Sequence, residues 1–486
     1  MLQSYAVSAH RQQKVSASSA FIFNKGVAQE PLYDEVTKEM SFVLNLKKGE
    51  QISFALVGSV CSARDFSDPY NEAERQVIYA IHEGTTSLMA AHRSLWNELW
   101  ESDILIEGDD EAQRAVRFAL FNLYSSCREG SGLSISPMGL SSQGYNGHIF
   151  WDSELWMFPP MLLLNKGIAE SMIDYRIDRL MAARKKAMVY GFKGAMFPWE
   201  SDDYGEESTP ALTGPLEHHI TADISIACWN YYCLTRDGQW LRTKAFPLMK
   251  AVADFWVSRV TRNDDGSYSI CNVVGADEYA NGVDDNAFTN GAAIRALEYA
   301  CEAAKICNEP VPEIWEEVGK GIRILRFKDG VTREHATYNG EMIKQADVNL
   351  LGYPLYFVGD AESQKKDMEY YVDKIDPQNG PAMSYSVFCV QYARMGDAKR
   401  AYEMFCRCYQ PNLRAPFGVL AETPTSDNPY FMTGAGGLLQ AVINGFCGLQ
   451  ITDGGVEQLS SVLPAHWKKV TVKGVGSEKK MYVRER

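Results

Sequence analysis

Five stretches of this sequence gather side chains that can do chemistry together. The first is Gly144-Tyr145-Asn146-Gly147-His148-Ile149-Phe150-Trp151-Asp152-Ser153-Glu154. The second is Pro198-Trp199-Glu200-Ser201, running on to Glu217-His218-His219. Gly275-Ala276-Asp277-Glu278-Tyr279 is the third and Lys344-Gln345-Ala346-Asp347 the fourth. The fifth is Ala421-Glu422-Thr423-Pro424, leading to Thr433-Gly434-Ala435-Gly436-Gly437. Taken singly, a loop carboxylate is what a solvated surface carries. Taken together, acids, amides, indoles and a lysine are what a carbohydrate pocket needs. Sugar hydroxyls call for paired donors and acceptors, and the apolar faces of the ring call for aromatic walls. Cleaving a glycosidic bond calls for two carboxyl groups, one protonated and one ionised, on opposite sides of the bond.

Two further motifs read as structural. Asp284-Asp285 resembles half of an acidic metal site, but no third ligand stands at a sensible spacing. The pair is expected to cap the helix that follows, where its charge suits the helix dipole. Gly434-Ala435-Gly436-Gly437 lacks the lysine of a phosphate-binding loop and is expected to serve close helix packing. No metal and no cofactor are expected. The eleven cysteines are scattered, with no CxxC and no Cys/His cluster. They read as small buried hydrophobes and lean toward a reducing, cytoplasmic setting.

These segments must be positioned by the elements between them, and most of those elements read as helices. Asp109 and Asp110 are good N-cap residues before a run that puts Val116, Leu120 and Leu123 on one face. The same spacing recurs in Ile173, Ile177 and Leu180; in Ile226, Trp229 and Cys233; in Leu248, Val252 and Phe255; and in Ile294, Leu297 and Cys301. Further helices are expected near 361–375, 384–395, 397–409 and 433–446. Long loops over about 129–160, 191–220, 262–287, 337–356 and 411–432 separate them, and long loops in a compact domain are usually functional. Helices joined alternately by short turns and long loops suggest a toroid with the loops gathered at one mouth. Residues 1–78 read as strands, with a hairpin of 41–46 and 51–57 about a turn at 47–50. A helical linker (79–105), a helical catalytic region (106–448) and a small β segment (449–486) complete the expected organisation.

Length and charge narrow the class. At 486 residues the chain is long enough for two or three domains or one large toroid with appendages. A net charge of −14 argues against nucleic acid and anionic membranes as partners and suits a neutral sugar. No apolar run is long enough to span a membrane, and residues 1–19 lack the apolar core of a signal peptide. The oligomeric state is open between a monomer and a homodimer.

The first, third and fourth segments together resemble family 65 of the glycoside hydrolases, over about residues 95–465. That resemblance implies an (α/α)6 barrel behind an N-terminal β-sandwich, here reduced to about 80 residues. It implies that Glu278, in Gly-Ala-Asp-Glu-Tyr, is the general acid. It implies that Trp151 packs on the glucose ring, that Asp152 accepts from its hydroxyls, and that Lys344 and Gln345 bind hydroxyls too. Trp199, Glu200 and His219 fall in a matching loop, with His219 also readable as a brace for that loop. Glu422 stands where the hydrolases of the family carry their general base, and its segment has no His or Lys to hold phosphate. The expected activity is therefore inverting hydrolysis of a small α-glucoside, with α-1,2 linkages favoured. An inverting phosphorylase, a trehalase and a non-catalytic sugar-binding toroid are the alternatives.

Overall fold

A computed structural model of the protein describes residues 1–9, 11–24, 32–357 and 360–486. It divides into two compact units, Met1–Trp100 and Glu101–Arg486.

The first unit is a three-stranded antiparallel sheet with one long helix. Strand Lys14–Phe23 lies in the centre, pairing on one side with Leu2–Val7 and on the other with Phe54–Ser62. Helix Pro69–Leu99 packs on this sheet; it is capped by Asp68, whose side chain accepts from the amide of Asn71, and it kinks at Gly84. This helix begins ten residues before the predicted linker. The predicted hairpin does not form. The turn at 47–50 is present, with the Glu50 amide donating to the Lys47 carbonyl, but its flanks do not pair. Residues 54–62 pair instead with 15–23, which sets Phe54 against Phe23 and Leu56 against Phe21. This pairing builds a cross-strand aromatic cluster, with Phe21 and Phe54 6.0 Å apart and Phe42 packed edge-on against Phe21, which the local hairpin would not gather. Glu39–Ser41 pairs with Leu32–Asp34.

The second unit is mainly helical. Helix Asp110–Ser126 starts where its sequence predicts, with the Asp109 carboxylate accepting from the amide of Ala112 and with Val116, Leu120 and Leu123 fully buried. His219–Thr235 packs on Ala287–Cys307, which packs also on Phe246–Arg259. Ser384–Arg394 packs on Ala398–Arg407, and Met432–Gln440 returns to pack on Asp110–Ser126. The expected loops remain outside these helices, except that the first ends at Asp152. There a wide π-turn over Ser153–Met157 leads directly into helix Phe158–Leu164. Such turns often mark functional positions.

Two local expectations are corrected. Residues 103–107, which straddle the expected end of the helical linker at 105 and the start of the helical region at 106, are a strand that pairs with Lys469–Val475, which in turn pairs with Lys480–Glu485. Ile104 and Ile106 alternate inward on that strand, the period of a half-buried sheet. The cap of helix Ala287–Cys307 is Asn286, not the Asp pair. Asp285 takes a left-handed backbone (φ 54°) and turns its carboxylate to Ser269 and to Arg323, whose Nη2 is 2.8 Å away. Asp284 accepts from the amide of Asn272.

The Gly434–Gly437 stretch does pack closely. A methyl group on Gly436 would stand 2.4 Å from the Trp156 carbonyl oxygen, so this helix runs against the π-turn backbone with no room for a side chain. All eleven cysteines are free thiols, and nine of them are buried. Among the described residues no helix is long and apolar enough to cross a membrane.

Candidate active site

The segments singled out in the sequence meet at one open cavity. Its walls include Tyr145, Phe150, Trp151, Asp152, Trp199, Glu278, Lys344, Gln345 and Glu422. Three loops supply most of the polar groups, and each is held in a different way.

Glu278 sits at the tip of a tight hairpin, where Val273–Val274 pairs with Asn281–Val283. The Gly275 amide donates to the Ala280 carbonyl and the Ala280 amide to the Asp277 carbonyl, closing the tip. Gly275 is required here: a Cβ would lie 2.5 Å from Asn286 Nδ2 and 2.9 Å from Asp347 Oδ2. The hairpin is laced to the Lys344 loop. The Lys344 amide donates to Asp277 Oδ1 (2.6 Å), and Gln345 Nε2 donates to the Ala276 carbonyl (2.5 Å). The Lys344 ammonium then reaches Glu278 Oε1 at 2.9 Å, and Gln345 Nε2 lies 3.4 Å from the same oxygen. Burial works against a charge on Lys344, but the facing Glu278 carboxylate outweighs it and the ammonium pKa is raised.

Behind this hairpin lie three buried acids, Asp277, Glu334 and Asp347. Burial and the neighbouring Asp347 push Asp277 up to about 7, and Glu334 is raised well above the usual carboxylate range by burial and then by Asp347 and Asp277. Like charges cannot all ionise at such spacing, so the group holds protons at neutral pH. It braces the backbone of the Glu278 loop: Asp347 accepts from the Asp277 amide, from Asn286 and from the Phe288 amide.

Glu422 follows the short hairpin Leu413–Arg414 and Val419–Leu420. Asn412 Nδ2 donates to the carbonyls of Ala421 and Glu422, and the Ala382 amide also donates to the latter. Its carboxylate is held from two sides. The Tyr145 hydroxyl lies 2.8 Å from Oε1 and 2.9 Å from Oε2, and Asn428 Nδ2 donates to Oε2 at 3.0 Å.

Asp152 is 7% exposed and accepts the Thr433 hydroxyl. Burial pushes its carboxyl up to about 7, against the Thr433 bond and with help from the charges of Glu422 and Glu278. Trp151 faces Trp199 across 6.2 Å. A buried ion pair steadies this wall: Arg176 Nε lies 2.8 Å from Glu154 Oε1, and Arg176 Nη2 donates to the Phe150 carbonyl. The Trp199–Glu200 backbone is pinned by Glu207, which accepts from both amides and from Lys186.

Seven of the nine residues picked out by sequence line the cavity, and two do not. Glu200 turns aside to pair with His148 Nδ1 at 2.8 Å. His219 is fully buried behind the wall. Its Nδ1 meets Asp223 (2.8 Å), its Nε2 meets Glu217 (3.0 Å), and the Trp151 ring packs edge-on at 4.8 Å. Burial disfavours the imidazolium, but the two carboxylates outweigh it and raise its pKa to about 10. His219 thus braces Trp151 from behind the wall rather than reaching the cavity. Sequence reasoning missed Asn428 and the roles of Thr433 and Tyr145. Tyr145 stands 277 residues from Glu422 in the chain, and no local spacing signals that they meet.

The model of the glycosyl hydrolase family 65 central catalytic domain matches residues 117–323. The chain is 50% identical over 491 aligned residues to a kojibiose hydrolase of Flavobacterium johnsoniae, spanning 99% of this chain and 72% of that protein. It is 39% identical over 427 residues to a protein-glucosylgalactosylhydroxylysine glucosidase of Dictyostelium discoideum, spanning 85% of this chain and 59% of that one. Among solved structures, a human-microbiome protein with a provisional kojibiose phosphorylase assignment superposes with a TM-score of 0.81. That likeness covers 99% of this chain and 71% of the other, at 18% identity, and speaks for the fold alone. With half its residues identical to a relative of which it spans more than two thirds, the chain belongs to glycosyl hydrolase family 65, and it is a glycoside hydrolase.

Proposed function

We propose that the protein hydrolyses a small α-glucoside with inversion, Glu278 serving as general acid and Glu422 as general base. The observation that carries this reading is that both carboxylates line one cavity, together with an indole wall, Asp152, Lys344 and Gln345. An inverting glycosidase needs an acid on the leaving oxygen and a base on water at the opposite face of the ring. Trp151 supplies the platform for the sugar, and Asp152, Lys344 and Gln345 supply partners for its hydroxyls. The Lys344 ammonium pairs with Glu278. Sugar hydroxyls entering the pocket compete for that ammonium and can release the Glu278 carboxyl to face the leaving oxygen.

Water is favoured over phosphate as the nucleophile by the surroundings of Glu422. A phosphate dianion needs hydroxyls, amides and a cation. Residues 417–424 hold no His or Lys, and Glu422 would repel the anion. The guanidinium of Arg414, close by in the chain, is directed into its own loop, donating to the carbonyls of Thr423, Pro424 and Ser426. An α-1,2-linked substrate, such as kojibiose or a glucosyl-α-1,2-galactose unit, is favoured by the names of the Flavobacterium and Dictyostelium relatives.

The scaffold we infer is an (α/α)6 barrel. It is supported by the return of helix Met432–Gln440 onto Asp110–Ser126, the contact that a closed ring of helices requires. The sheet of the first unit is read as part of a β-sandwich.

The test is a disaccharide panel assayed with and without phosphate. Kojibiose is expected to release free glucose in phosphate-free buffer. Time-resolved NMR should show β-glucose first, since inversion of an α-linkage gives the β-anomer. Glucose 1-phosphate as the main product, or α-glucose appearing first, would overturn the assignment. Glu422→Ala should lose hydrolysis, with azide restoring turnover as the β-glycosyl azide.

A further inference from the structure

Tyr145 occupies a backbone conformation that its side chain disfavours. It has φ 55° and ψ 23°, and Asn146 after it has φ 54° and ψ 16°. Left-handed backbone costs a residue with a Cβ on the order of 1–2 kcal/mol. Asn tolerates it and tyrosine does not gain from it. The turn is built to keep that conformation: the Asn146 amide donates to the Gln143 carbonyl, and the His148 amide donates to that of Tyr145. An outlier of this kind persists only where the surroundings over-determine it, and such outliers cluster at functional sites.

What the conformation achieves is visible at the other end of the side chain. The phenol ring packs edge-on against Phe150 at 5.3 Å and delivers its hydroxyl to both oxygens of Glu422, at 2.8 and 2.9 Å. A hydroxyl has one proton, so it bridges the carboxylate rather than binding one oxygen fully. Asn428 holds the same group from the other side at Oε2 and accepts from the Glu422 amide through its Oδ1 (3.0 Å). Burial, and then the charge of Glu422, push the phenol pKa up, so Tyr145 stays a donor across the working pH range. Lys344 and the Asp152 carboxyl also border this cavity, but their hydrogen bonds go to Glu278 and Thr433.

We propose that Tyr145 is a positioning residue for the base: its strained turn fixes the phenol so that it aims the Glu422 carboxylate. The proposal rests on Glu422 being the general base. A donor to a carboxylate stabilises the charged form, and a base must be charged to take a proton from water. Lifting the hydroxyl away therefore lowers turnover. Sugar binding is left nearly alone, because the ring stays in place.

The test is Tyr145→Phe beside Glu422→Ala, both assayed on kojibiose over a full pH range. For Tyr145→Phe, kcat should fall on the order of 10- to 100-fold, the range expected for a hydrogen bond to a charged group. KM should stay within about threefold, and the acid limb of the kcat profile should move to higher pH. The position of that limb does not depend on what fraction of the sample is folded, so a destabilised variant still gives a reading. If Glu422→Ala is inactive while Tyr145→Phe keeps both kcat and the acid limb, the Tyr145 role is wrong and the base assignment stands. A change in KM alone would make Tyr145 a substrate contact and overturn the proposal. Activity in Glu422→Ala would remove the base assignment itself, and the Tyr145 role with it.

Discussion

The hydroxyl of Thr433 donates to Oδ1 of Asp152 at 2.5 Å, joining residues 281 positions apart in the chain. Thr433 lies in the first turn of helix Met432–Gln440 and Asp152 directly precedes the π-turn Ser153–Met157. The bond therefore ties a wall of the cavity to the helix that returns to Asp110–Ser126.

Replacing that carboxylate, or the lysine opposite, should act on the transition state. Asp152→Ala and Lys344→Ala are each expected to lower kcat as well as raise KM, because pocket hydrogen bonds strengthen as the sugar ring flattens toward an oxocarbenium-like state. Steady-state kinetics on an unactivated disaccharide check this. Changes confined to KM would mean that the two residues bind ground and transition states alike.

Glu278→Gln keeps the shape of the side chain and the contact with Lys344 changes from an ion pair to a neutral one. A general acid without its proton should lose on the order of 10²- to 10⁴-fold in kcat. Thermal melting should show the fold intact, and an aryl glucoside with a good leaving group should recover part of the rate. More than a tenth of wild-type activity on a disaccharide would remove Glu278 from this role.

The raised pKa of Asp152, about 7, links stability to pH. Between the ordinary carboxylate range near pH 4 and pH 7, the folded protein holds a proton on Asp152 that the unfolded chain has lost. Stability from this group is therefore present at low pH and declines as pH rises toward 7, by at most about 4 kcal/mol at about 1.4 kcal/mol per pH unit. Asp152→Asn removes the titration. Relative to that variant, wild type should lose melting temperature between pH 4 and 7; parallel curves would contradict it.

Gly436→Ala tests the close approach of helix Met432–Gln440 to the π-turn. The added methyl would meet the backbone of Trp156 and Met157, which cannot rotate away. A loss of about 1–3 kcal/mol is expected from overpacking, read from denaturant unfolding. Gly396→Ala, with open space at its Cβ position but φ 87°, should show a cost from backbone strain alone.

Sequence alone determined the helical character of the second unit, because period-3.6 burial is a local property. Val116, Leu120 and Leu123 lie on one face wherever the helix goes, and Asp109 caps it without help from the rest of the chain. The residue types around Glu278, Lys344 and Trp151 likewise announced a polar, aromatic pocket before any coordinates. Tertiary structure decided the rest. Strand pairing is non-local: residues 54–62 join 15–23 and residues 103–107 join 469–473, both at the expense of local readings. The cap of helix Ala287–Cys307 passed to Asn286 because Arg323 and Ser269 claim Asp285. His219 reads in sequence either as a pocket residue or as a brace for its loop, and two buried acids from its own helix and the preceding turn draw it behind the wall, where it braces. Tyr145 meets Glu422 only because the fold closes 277 residues of chain between them, and a side-chain contact of that span leaves no trace in the spacing of either segment.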